Sequence, residues 1–129
     1  MFHINQRSAK PIYEQIVESV ELAIASGALQ KDEKLPSVRQ VAKELAVNPN
    51  TIQRAYALLE ERGLTYSQPG RGSFAAMDAE DLGETIRPEA FTRLEAAVED
   101  LAKRQVALEK IMDCVITTYD ACNKGGGKR

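Results

Sequence analysis

The chain has no tryptophan, one histidine, two cysteines and only 5% aromatic residues. His3 with Cys114 and Cys122 falls short of the four ligands a structural zinc cage requires, so no metal is expected. The two cysteines stand eight positions apart in a helix-like stretch. No secretory pattern accompanies them, and a disulfide framework is not expected. No apolar run approaches the roughly 18 residues of a membrane span, and the first residues lack a basic-then-apolar signal pattern. Together these absences point to a cytoplasmic protein with no membrane contact. No nucleophile sits beside a base in any recognisable pattern, which argues against an enzyme and gives no reason to expect a cofactor. Gly70 and Gly72 do not form a phosphate loop, because no G-x-x-x-x-G-K-[ST] run leads into a helix. Asp78, Glu80, Asp81 and Glu84 lack the spacing of a calcium loop and read as solvated.

What is present fits a small two-part chain. Its 129 residues, 43% of them hydrophobic, suffice for one domain plus an appendage, or for two very small domains. The net charge of −2 is unevenly spread. Residues 1–77 carry nine Lys/Arg against eight Asp/Glu, whereas residues 78–129 carry eight against eleven. Within 34–72 the count is six basic to three acidic, and local charge facing a partner matters more than the whole-chain sum.

Periodicity and punctuation divide the first part into three helices and a hairpin. Over 11–26, Ile12, Ile16, Val20, Ala23 and Ile24 recur at helical spacing, with Glu14, Glu18 and Glu21 opposite and Gly27 as a stop. A polar connection over 30–34 follows. Ser37 with Gln40 three residues on forms a capping-box pattern ahead of Val38, Val41, Ala42 and Leu45. Asn48-Pro49 opens the next helix, 49–62, with a side-chain cap followed by a residue that needs no N–H partner. Ile52, Ala55, Tyr56 and Leu59 form its inward face; Asn50, Gln53, Arg54 and Ala57 lie opposite. β-Prone residues on both sides of Pro69-Gly70-Arg71-Gly72 predict a hairpin. The fold class is therefore mainly α: an N-terminal winged helix-turn-helix of three helices plus a hairpin wing, then a C-terminal helix or helices.

Residues 78–88 are acidic, contain Gly83 and Pro88, and read as a linker. From Glu89 to Cys122 no glycine or proline intervenes, and apolar residues fall on heptads. Phe91, Val98, Gln105, Met112 and Tyr119 take one core position; Leu94, Leu101, Leu108, Val115 and Cys122 take the other. The spacing predicts a helix or helices with a dimerising seam, ~50 Å long if unbroken, and Gln105 pinning its register. Residues 123–129 read as a disordered tail.

The polar face of helix 49–62 carries the sharpest chemistry. Asn and Gln can bond adenine through two hydrogen bonds and Arg can do so with guanine, and recognition helices meet base edges with their first turns. Asn50, Gln53 and Arg54 occupy those turns, and Thr51 is placed to bond a phosphate with help from the helix dipole. Arg39 reads as a phosphate or guanine contact, the alternative being an ion pair with Glu44. Arg71 at the hairpin tip suits a narrow minor groove, the alternative being a solvated turn residue. A competing function is a protein-interaction module whose heptads recruit another coil. Such a face should carry more exposed aromatic or aliphatic anchors than Asn50, Gln53 and Arg54 provide.

Three segments carry a family resemblance: Pro11-Ile12-Tyr13-Glu14-Gln15-Ile16, Leu35-Pro36-Ser37-Val38-Arg39 and Val47 through Tyr56. With the Pro69-Gly70-Arg71-Gly72-Ser73-Phe74 wing, they resemble the DNA-binding domain of GntR-family bacterial regulators. The likeness covers residues 9–77, and the Asn-Pro-Asn-Thr opening with a short tail is most similar to the YtrA-like subfamily. The resemblance implies a homodimeric transcription regulator, usually a repressor, on a palindromic double-stranded operator. Carried over by motif position, Ser37, Arg39, Asn50, Thr51, Gln53, Arg54, Gly70 and Arg71 meet DNA. YtrA-like members usually end in two short helices, from which the unbroken heptads depart. Dimerisation is expected through Phe91, Leu94, Val98, Leu101, Leu108, Met112 and Val115. The ~50 residues beyond the wing are too few for a self-contained effector pocket of ~300 Å³ or more, and any small-molecule effector is unknown.

Overall fold

A computed structural model describes residues 2–125 of the chain. The element order is α1 (Ile12–Ser26), α2 (Val38–Leu45), α3 (Pro49–Glu61), β1 (Thr65–Gln68), β2 (Gly72–Ala75), α4 (Ala79–Lys103) and α5 (Leu108–Gly125). The chain divides into two compact units at Ile86 and Arg87.

In the first unit, one apolar face from each of α1, α2 and α3 meets its neighbours. Ile16, Val20 and Ile24 of α1, Val41 of α2, and Ile52, Ala55 and Leu59 of α3 are fully buried. Leu29 and Leu35 on the connection, with Leu64 and Ala75 at the hairpin base, close the same core. The helix ends follow local chemistry. Ser37 Oγ accepts the Gln40 N–H at 3.0 Å and Asn48 Oδ1 accepts that of Asn50 at 2.8 Å, each satisfying a helix N–H that has no partner within the helix. The capping box is only half formed: the Gln40 amide turns toward Glu44 Oε2 at 3.5 Å instead of back to the cap. Between α2 and α3, Ala46 takes a left-handed φ of 55° while Val47 N–H donates to Ala42 C=O at 3.0 Å. That Schellman-type stop lets the chain turn into Asn48 without a glycine.

The polar connection before α2 does more than connect. Lys34 forms a β-bridge with Phe74, and Leu35 N–H donates to Ser73 C=O at 2.9 Å. Ala75 N–H in turn donates to Glu33 C=O at 2.9 Å, so this segment lies against the hairpin like a short third strand.

The expected linker is helical. Asp78 Oδ1 accepts the Asp81 N–H at 2.8 Å, capping α4, and Leu82 is only 2% exposed, as part of the first unit's core. Capping and burial outweigh Gly83, and α4 continues through Pro88 as well. Of the two arrangements the heptads allowed, the chain takes two helices. α4 stops at Lys103 and α5 starts at Leu108. Gln105, assigned above to a core position, instead takes a left-handed φ of 68° in the turn. Val106 N–H donates to Leu101 C=O and Gln105 N–H to Ala102 C=O, both at 3.0 Å, which is again a Schellman-type stop. The chain therefore ends in two helices, the pattern from which the heptads seemed to depart. Of the expected tail, residues 123–125 belong to α5 and residues 126–129 lie outside the described residues.

The second unit leaves most of its large apolar side chains in solvent. Phe91 is 53% exposed, Leu108 66%, Met112 52% and Tyr119 67%; Leu94, Leu101, Val115 and Ile116 are exposed as well, and Val98 is half-buried.

Candidate nucleic-acid interface

Three elements of the first unit carry the sequence-derived contacts. Ser37 caps α2 and Arg39 follows on its exposed side, with no ion pair to Glu44 among the described residues. On the first turns of α3, Asn50 and Gln53 are exposed and Thr51 is half-buried. Their backbone is fixed by the Asn48 cap and by Thr51 N–H donating to Asn48 C=O at 2.9 Å. In the hairpin, Gln68 pairs with Gly72, leaving Pro69, Gly70 and Arg71 as the loop. Gly70 at φ 74° and Gly72 at φ 113° supply the left-handed backbone that this reversal requires.

The wing and the start of α2 enclose an open groove of about 570 Å³. Ser37, Gly70 and Arg71 all line it, together with Lys34 and Gln68. Arg39, Asn50, Thr51, Gln53 and Arg54 lie outside it, on α2 and α3. Lys34 runs closely over the wing: a Cβ added at Gly72 would come within 3.0 Å of its Cε.

Two tyrosines brace this face. Tyr56 on α3 donates from its hydroxyl to the Pro36 carbonyl at 2.6 Å, which ties α3 to the turn that presents Ser37. Burial raises its phenol well above the ordinary tyrosine range, so it stays a donor. Tyr66 on β1 stacks on Phe74 with centroids 5.5 Å apart and donates to Asp32 Oδ1 at 2.8 Å. That hydrogen bond to Asp32 is the main cause of its own raised pKa. Asp32 itself adopts φ 70°.

The comparisons with known proteins bear on this geometry. Residues 12–74 match the family described as bacterial regulatory proteins, gntR family. Across 129 aligned residues the chain is 35% identical to the HTH-type transcriptional repressor YtrA of Bacillus subtilis (strain 168), covering 99% of this chain and 98% of that protein. The chain belongs to the GntR family. Its YtrA-like character thus extends along the whole chain, beyond the winged domain. A GntR family transcriptional regulator from Listeria monocytogenes superposes with a TM-score of 0.70 at 35% identity, covering 88% of this chain and 98% of that one. The DNA-binding domain of AraR, solved in complex with operator ORX1, superposes with a TM-score of 0.52 at 30% identity, over 57% of this chain and 92% of that one.

As a GntR protein the chain is a DNA-binding transcription regulator with a winged helix-turn-helix. Among the described residues, no helix is long and apolar enough to cross a membrane, and no group of three or more His, Cys, Asp or Glu could hold a metal ion.

Sequence reasoning missed several residues of this GntR face. Tyr13 lies half-buried on α1 with the Arg54 guanidinium carbon 3.9 Å from its ring centre. Asp32 and Lys34 were read as an irregular connection. Pairing of residue 34 with residue 74 leaves no local pattern to find. Tyr56 was recognised as inward-facing, but its hydrogen-bond partner lies 20 residues away.

Proposed function

We propose that this protein is a homodimeric repressor that works in the cytoplasm and binds a palindromic operator through α3, the start of α2 and the wing. The observation that carries the reading is the pairing of a polar, exposed α3 face and a basic wing with a second unit that leaves most of its large apolar side chains in water. Single apolar residues on a surface need no explanation, but this many large apolar side chains exposed along two helices call for a partner surface. A second copy supplies one through Phe91, Leu94, Val98, Leu101, Leu108, Met112 and Val115. Pairing also places two winged domains on one duplex, and linkage of two weak sites raises occupancy without any new contact.

In this reading Asn50 and Gln53 read base edges, while Ser37, Arg39, Thr51 and Gly70 hold the backbone. Arg71 enters the minor groove, and Arg54 joins the DNA face from the side of α1. Repression draws support from the name of the Bacillus subtilis relative, and operator binding from that of the AraR complex.

In vitro selection from a random duplex pool at ~150 mM salt, where non-specific binding is weak, tests the reading. The expected product is an inverted repeat whose half-sites lie ~34 Å or a multiple apart. Recovery of no preferred sequence, or of a single half-site with no symmetry, would overturn it. A promoter reporter carrying the selected repeat should fall in output when the protein is expressed; a rise would make the protein an activator.

A further inference from the structure

Arg54 was expected to read a base, yet its guanidinium carbon sits 3.9 Å from the ring centre of Tyr13 on α1, well inside cation–π range. The ring is held in turn: Tyr13 is half-buried, and its hydroxyl donates to Glu14 Oε2 at 3.3 Å. Donation to a carboxylate enriches the ring in electron density and strengthens its pull on the cation.

The direction of the side chain, more than its position along α3, separates Arg54 from the base-reading residues, since Gln53 immediately precedes it. Asn50 sits at the start of the helix, where recognition helices meet base edges. Arg54 follows one helical turn later, about 5–6 Å further back, and leans onto α1. An arginine that reads guanine extends its fork head-on along the groove floor. One stacked on a neighbouring helix has used its reach sideways, and its N–H groups radiate in the plane of the guanidinium, past the edge of the ring. Arg54 remains exposed to solvent and makes no ion pair among the described residues, so a phosphate would meet it without first displacing a carboxylate.

Building on the DNA-binding reading above, we infer that Arg54 clamps a backbone phosphate rather than reading a base, and that Tyr13 is the positioning residue that aims it. The stack restricts the arginine before DNA arrives, so less rotamer freedom is lost on binding. Arg54 then contributes affinity and salt dependence, and base preference rests with Asn50 and Gln53. Tyr13 brings the first helix, otherwise acidic on its outer side, into the DNA-binding apparatus.

The test uses the full-length chain on its selected duplex, with fluorescence anisotropy over a salt series. Arg54→Ala should weaken binding about tenfold, as loss of a charged hydrogen bond does. It should also flatten the dependence of log K on log salt by about one per half-site. Repeated selection with this variant should return an unchanged consensus. Tyr13→Leu should weaken binding by a smaller factor of roughly three to five, from lost pre-organisation. Tyr13→Phe should restore most of that loss, because it keeps the ring. In an Arg54→Ala background Tyr13→Leu should cost nothing more, a non-additivity that a purely structural role for Tyr13 would not give. Arg54→Met, which keeps the apolar stem over the ring, provides the same slope measurement should either variant melt near assay temperature.

A changed consensus for Arg54→Ala, or an undiminished effect of Tyr13→Leu in its absence, overturns the inference while leaving the DNA-binding reading intact. Wild-type protein that selects no sequence overturns both.

Discussion

Replacing Tyr56 by phenylalanine removes one oxygen atom and little else. The residue is 6% exposed and belongs to the buried core, and phenylalanine keeps its ring, so no cavity opens. What disappears is the 2.6 Å hydrogen bond to the carbonyl of the half-buried Pro36. Such a loss costs about 1–2 kcal/mol. For a winged domain of this size, that lowers Tm by roughly 5–15 °C.

Tyr56→Phe also changes the response to alkali. Burial raises the Tyr56 pKa, so the folded state favours the neutral phenol. Below the ordinary tyrosine value of about 10, both folded and unfolded chains keep the proton and the contribution is constant. Above that pH the unfolded chain releases its proton first, it binds fewer protons than the folded chain, and stability falls. Tyr66, raised chiefly by its bond to Asp32, adds to the same fall in both proteins. Thermal and urea melts by circular dichroism, taken from pH 7 to 11, should show a lower plateau and a shallower alkaline decline in the variant. A melting temperature within about 1 °C of wild type at pH 7, or identical declines, would refute the argument.

Two further outcomes concern the second unit. Leu101→Asp together with Leu108→Asp should yield a monomer in sedimentation experiments, with a folded winged domain and operator affinity weakened by roughly 10²-fold or more as linkage between the two sites is lost; an intact dimer would move the interface elsewhere. Gln105→Gly should stabilise the turn between α4 and α5 by about 0.5–1 kcal/mol, since glycine holds φ near 68° without a Cβ penalty. A lower melting temperature would show that the Gln105 side chain makes a contact that matters more.

The helices of the winged domain were legible because their boundaries are set by neighbours in sequence. Ser37, Asn48-Pro49, Gly27 and Gly63 each act within a few residues, and α1 to α3 begin and end within about one residue of where those signals place them. The misreadings share a different cause. Gly83 and Pro88 look like breakers, but burial of Leu82 in a core assembled from distant segments stabilises the helix they interrupt. The stop at Gln105 carries no glycine or proline, and the short turn leaves the apolar residues in sevenfold spacing on either side. A heptad count therefore passes straight through it. Within the interface, residue types on α3 identified the exposed face. The direction Arg54 takes depends on Tyr13, 41 positions earlier, and no spacing rule contains that.

The bridge between Lys34 and Phe74 has a consequence for how such regulators can be recombined. Residues 33–35 bond to both ends of β2, while Pro36 receives Tyr56 from α3. The hairpin is thus stitched to the segment that launches α2, and that segment is stitched to α3. A chimera that grafts a foreign hairpin between Gly63 and Met77 can remake these backbone bonds, but it loses the Tyr66 bond to Asp32 and the close fit of Gly72 beneath Lys34 unless its own residues supply them. An exchangeable unit therefore includes at least Asp32 to Ala76, and Tyr13 of α1 has to suit the residue at position 54 as well. Duplication and divergence would then alter wing and helix as one inherited block, each change in one being tested against the other.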